Sequence, residues 1–173
     1  AFAVPEDLMK DLKSLIRDDS VALDQKVYLI SVLSEVSEIG AELLDPVVKL
    51  ANESELSPEM AFAVAVALRR EAYHALESGD DPKRIVSLAT VCFGFFETAS
   101  ESRKNEPLFI VGLLGAYYDR ARLTLRKSEL NFRDVFGSDG EEVFQRLLTR
   151  LKEGATQRSV AGPGQQHRWT AAH

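Results

Sequence analysis

Proline placement constrains the fold of this chain more than any other feature. Of its six prolines, five stand where a helix would open: Pro5-Glu6-Asp7, Asp45-Pro46, Ser57-Pro58-Glu59, Asp81-Pro82, and Pro107 ahead of the apolar run Leu108 to Tyr118. A proline in a first helical turn loses no hydrogen bond, because the first N–H groups of a helix have no partner inside it. A serine or aspartate just before it accepts from those free donors, and acids beside it sit at the positive end of the helix dipole. None of the five falls inside a strong periodic run.

Apolar spacing fills in the segments between these starts. Leu8, Leu12, Leu15 and Ile16 recur at helical intervals, and Asp18-Asp19-Ser20 then breaks the pattern. A second helix is predicted over about 20–39, with Leu23, Val27, Ile30, Leu33 and Ser34 along one stripe and Gly40 as its stop. Asp45-Pro46 predicts a short third helix to about 52. A fourth follows over about 58–78, a fifth over 82–101 and a sixth over 107–127. Ser138 with Glu141 has the spacing of a capping box and predicts a seventh. Strand signals are missing, since no period-two alternation is bounded by hairpin turns. The expected fold class is therefore all-α, an irregular bundle of about seven helices forming one domain over residues 1–153.

The fourth, fifth and sixth segments are expected to carry the core. Ile85, Leu88, Val91, Cys92, Phe95 and Phe96 make a broad face on the fifth. The sixth is apolar all round at its start, which places it at the centre of the domain. Its Gly112 and Gly115 each weaken a helix, and both are expected where a neighbouring helix passes closely. The seventh is amphipathic, with Val143, Phe144, Leu147, Leu148 and Leu151 inward. Helix starts are unevenly spaced, so a tandem array of helix pairs is not supported. Residues 154–173, GATQRSVAGPGQQHRWTAAH, have no periodic apolar face and predict a low-complexity tail, flexible or docked on a partner through Trp169 beside Arg168.

Composition excludes several classes. No run approaches the ~20 apolar residues needed to span a bilayer. A single cysteine, Cys92, allows no intrachain disulfide, and its apolar surroundings suit a buried thiol better than a nucleophile. The opening Ala1-Phe2-Ala3 lacks the basic and apolar parts of a signal peptide, and cytoplasm is the expected location. A net charge of −6 makes nucleic acid an unlikely partner, yet its distribution is uneven. Residues 1–80 hold 7 basic and 16 acidic side chains, whereas residues 81–173 hold 14 and 11. That asymmetry suits an electrostatically complementary partner or head-to-tail contact with a second copy.

Three constellations are candidates for chemistry. Glu71-Ala72-Tyr73-His74 puts a carboxylate and an imidazole on one helix face, the spacing used by helical di-metal proteins. It would need carboxylates from facing helices such as Glu35, Glu38, Glu97, Glu101 or Asp119, and no second Glu-x-x-His exists. Arg122 and Arg126, one turn apart with Tyr117, Tyr118, Arg120 and Lys127 nearby, could hold a phosphate or carboxylate of a partner. Phe93, Phe96, Phe109, Tyr117 and Tyr118 could line an apolar ligand pocket between the fourth, fifth and sixth helices. Phosphate-binding glycine loops, nucleophile elbows, zinc spacings and calcium loops are all missing. The expectation is a non-catalytic helical interaction domain without a cofactor or bound metal. Its partner would be another protein, possibly itself, held through Arg122, Arg126 and Trp169. A small-molecule sensor or carrier and a helical metalloprotein are the alternatives.

Overall fold

A computed structural model of the chain describes residues 5–160. Among these are eight helices: α1 Glu6–Arg17, α2 Leu23–Val36, α3 Ala41–Asn52, α4 Pro58–Glu77, α5 Pro82–Ser102, α6 Pro107–Leu125, α7 Phe132–Phe136 and α8 Gly140–Val160. The fold is all-helical and packs as one unit, with no strand among the described residues. None of the described helices is long and apolar enough to cross a membrane.

Three of the proline starts behave as expected. Ser57 accepts from Met60 N at 3.2 Å to open α4, and Asp81 accepts from Lys83 N at 2.9 Å to open α5. Pro107 opens α6 in the same position without a side-chain cap. The third helix departs from the reading. It begins five residues early, so Pro46 lies inside it. An interior proline costs a helix about 3 kcal/mol, but the earlier start buries Leu43 and Leu44 almost completely, each contributing about 1.5–3 kcal/mol. Gly40 is accordingly not the end of α2, which stops at Val36, but the N-cap of α3. Its φ of +81° is one that glycine adopts without strain.

The centre is the antiparallel pair α4–α5. The rising order of α4 meets the falling order of α5: Phe62 touches Phe96, Cys92 Sγ donates to Ala65 O at 3.2 Å, and Glu71 pairs with Arg84. Ala61, Ala65, Ala67, Ala72 and Ala75 are wholly buried, and their small side chains let the two helices approach closely. Helix α6 returns parallel to α4, packed on α5 and touching α4 as well, with Phe109 against Phe62 and Asp119 against Tyr73. Helix α2 also packs on α4, α3 packs on α2, α1 packs on both α2 and α3, and α7 and α8 close over α6.

Two expectations about glycine separate here. Gly112 does mark a close approach, since a Cβ on it would stand 2.6 Å from Phe62 Cε2 and 3.0 Å from Phe96 Cε1. Gly115 does not, because nothing lies within 4 Å of the same position.

The C-terminal region also differs from the reading. An unanticipated short helix, α7, is opened by a capping box of Asn131 and Asp134. It presents Phe132 and Phe136 to Phe144 of α8, with Phe136 also stacking on Tyr117. Helix α8 then runs past residue 153 to Val160. Gly154, read as the start of a tail, is buried against the turn between α5 and α6, where a Cβ would stand 2.8 Å from the Asn105 carbonyl carbon. Arg150 secures the same contact by donating to Lys104 O at 2.6 Å and Ser100 O at 2.7 Å.

Candidate functional site

The two buried carboxylates of α4 and α6 belong to the framework. Glu71 is 1% exposed, and its oxygens accept from Ile39 N and Gly40 N, both at 3.1 Å, and from Arg84 at 3.0 Å. This one side chain holds the start of α3 and the start of α5 against α4. Asp119 accepts from Tyr73 Oη at 2.6 Å, and its second oxygen faces Arg69 Nε at 2.5 Å without hydrogen-bond alignment. Burial, then the Asp119 contact, pushes the Tyr73 phenol up to about 12. Burial likewise pushes the Cys92 thiol up to about 12, far from the range of a nucleophile.

These contacts leave the Glu71/His74 pair without the setting a metal needs. Glu71 spends its lone pairs on two backbone donors and a guanidinium, while His74 lines a surface cavity with Arg69, Arg70, Tyr73 and Glu77. Of the other carboxylates, Glu35 pairs with Arg70, Glu101 with Lys104 and Arg150, and Asp119 with Arg69. No group of three His, Cys, Asp or Glu side chains among the described residues is placed to share an ion.

The five aromatic candidates divide. Phe96 and Phe109 meet the ring of Phe62 edge-on at 5.3 and 5.4 Å, and Phe93 meets Tyr117 at 4.8 Å. Arg120 stacks 3.7 Å over Phe93, which accounts for that arginine. These rings fill one another's space as core. Tyr118 points the other way and is exposed.

Tyr118 belongs to a row that the sequence placed in the interior. The exposed large apolar residues of α6 include Leu108 (54% exposed), Val111 (55%), Tyr118 and Leu125. With Gly115 and Arg122 they make the series 108, 111, 115, 118, 122, 125. Steps alternating between three and four residues keep all six on one side of a helix, as in a coiled-coil seam. Helix α6 is therefore peripheral on this side, bordered by Tyr73 of α4, whose ring lies 6.0 Å from the Arg122 guanidinium.

The row ends in positive charge. Arg122, Arg126, Lys127 and Ser128 line a cavity of about 580 Å³ with Leu76, Gly79, Asp80 and Pro82 from the turn between α4 and α5. Arg126 is the C-cap of α6 in the left-handed region, with φ +52°. Asp80 is neutralised by Arg84, and Lys127 by Asp134 at 2.9 Å. Arg122 and Arg126 have no carboxylate partner among the described residues. The structure thus brings Arg122 and Arg126 to one cavity, whereas Trp169 lies outside the described residues. Leu108 and Val111 were missed as surface residues because an all-round apolar helix gives no sign of which face is left open. No family model, no curated protein and no solved structure matches the chain.

Proposed function

We propose that this chain is a non-catalytic helical interaction module that docks a protein helix along the outer row of α6. The observation that carries the reading is the row itself: Leu108, Val111 and Tyr118 face water at coiled-coil spacing and lead into Arg122 and Arg126. Single exposed apolar side chains are ordinary, but an ordered row rimmed by unpaired cations is what a docked helix requires. The apolar part would supply affinity, and the guanidiniums would set direction by selecting a partner with acids at one end.

The test is site-specific photo-crosslinking in cells that express the chain. A photoreactive phenylalanine at position 118 or 111 is expected to capture a protein in a discrete adduct, with no adduct from the exposed α5 position 97. Adducts of equal yield from all three positions, or none from α6, would refute the reading.

A further inference from the structure

The inference deepens that reading and rests on it. We infer that the helix docked on the α6 row is α2 of a second copy of this chain.

Helix α2 also carries an exposed apolar row. Tyr28 is 69% exposed, the most of any large apolar residue in the described chain, and Val32 and Val36 follow at i+4 and i+8. Asp24 stands one turn before Tyr28 on the same side. Beyond it lie the exposed Asp18 and Asp19 of the turn between α1 and α2. Beside the row, Leu15, Val21, Asp24, Gln25, Tyr28 and Leu29 line a cavity of about 510 Å³. The α2 row is thus apolar with an acidic N-terminal end, and the α6 row is apolar with a basic C-terminal end.

The two rows match in register when the helices run antiparallel. At 1.5 Å per residue, Tyr28, Val32 and Val36 lie about 6, 12 and 18 Å from Asp24 along the axis. On α6, Tyr118, Gly115 and Val111 lie about 6, 10.5 and 16.5 Å from Arg122. Setting Asp24 against Arg122 therefore puts Tyr28 on Tyr118 and Val36 beside Val111. Val32 then falls on Gly115, the one small residue of the row, whose outer side is open. Asp18 and Asp19 extend past Arg122 toward Arg126 and the cavity it lines. An arginine inside an apolar seam needs an opposite charge across it, and this alignment supplies one.

The same pairing gives the charge asymmetry of the chain a use. An acidic N-terminal half and a basic C-terminal half attract between copies, while α2 on α2 or α6 on α6, run antiparallel, would set each charged end against an apolar one.

Sedimentation analysis of Asp24→Arg and Arg122→Asp, separately and mixed, tests the pairing. Both residues are exposed outside the core, and far-UV circular dichroism confirms that each variant folds. Wild type is expected to show a mass rising with concentration above the 19.2 kDa of one chain. Each variant alone opposes like charges wherever α2 meets α6 and is expected to associate more than about tenfold more weakly. An equimolar mixture restores opposite charges wherever unlike variants meet and is expected to assemble, alternating the two variants, as wild type does. Wild type that stays at one-chain mass up to about 1 mM, variants that associate like wild type, or a mixture that stays apart would each overturn the inference. If wild type is monomeric while position 118 crosslinks to a different protein, the second-copy inference falls and the docking reading stands. If position 118 captures nothing, both fall.

Discussion

Replacing Gly154 with alanine sets two physical effects against each other. Alanine is favoured over glycine inside a helix by about 1 kcal/mol, and Gly154 lies within α8. By propensity alone the change stabilises. The structure reverses the sign, because the new Cβ would stand 2.8 Å from the Asn105 carbonyl carbon, closer still to its oxygen, and 3.1 Å from Pro107 Cδ. The obstacle is backbone held by the start of α6, so it cannot rotate aside as a flexible side chain would. Relief requires moving the last turns of α8 outward, which strains the bonds from Arg150 to Ser100 O and Lys104 O. Overpacking of this kind costs about 1–3 kcal/mol, which cancels or outweighs the propensity gain and leaves a net loss of about 0–2 kcal/mol. At this chain length that lowers Tm by up to roughly 8 °C. Gly94 is the control: it lies mid-helix in α5, exposed, with nothing within 4 Å of an added Cβ. Gly94→Ala is expected to stabilise by about 0.5–1 kcal/mol. Urea denaturation of both variants beside wild type measures the two signs. If Gly154→Ala is as stabilising as Gly94→Ala, the docking of α8 on the α5–α6 turn is wrong.

Glu71→Ala strands two backbone donors and Arg84, and is expected to cost about 3–5 kcal/mol in urea melts. Wild type should keep its Tm in EDTA, and a large drop there would restore a metal role for Glu71. The Cys92 thiol, pushed up to about 12 by burial, is expected to resist an aromatic disulfide reagent at pH 8 until denaturant is added. Rapid labelling of the native chain would contradict its burial. Tyr73 has its folded pKa raised to about 12 from 10.0, so the folded state holds the proton through that window. Its contribution is complete below pH 10 and is lost as pH rises toward 12. Tyr73→Phe is expected to flatten the fall in stability between pH 10 and 12, and an unchanged slope would count against the Tyr73–Asp119 hydrogen bond.

Local chemistry accounts for most of what the chain alone determined. A proline has a fixed φ and no donor, and a serine or aspartate cap acts within three residues, so the starts of α4, α5 and α6 could be read directly. The stripes Val27–Ile30–Leu33 and Ile85–Leu88–Cys92–Phe96 marked buried faces because a helix repeats every 3.6 residues whatever it packs against. The pairing of Arg122 with Arg126 followed from the same repeat. Long-range terms decided the rest. Pro46 sits inside α3 because Leu43 and Leu44 gain more by burial than an ideal start would, and because Glu71, 31 residues away, caps Gly40. Gly154 reads as a breaker in isolation and becomes a packing surface only once the α5–α6 turn lies against it. Gly112 and Gly115 look alike in the chain, yet Phe62 reaches one and solvent the other. The open face of α6 is the plainest case: its residues are apolar all round, so periodicity carries no direction there. Only the positions of α4, α5 and α8 decide that Leu108, Val111 and Tyr118 meet water.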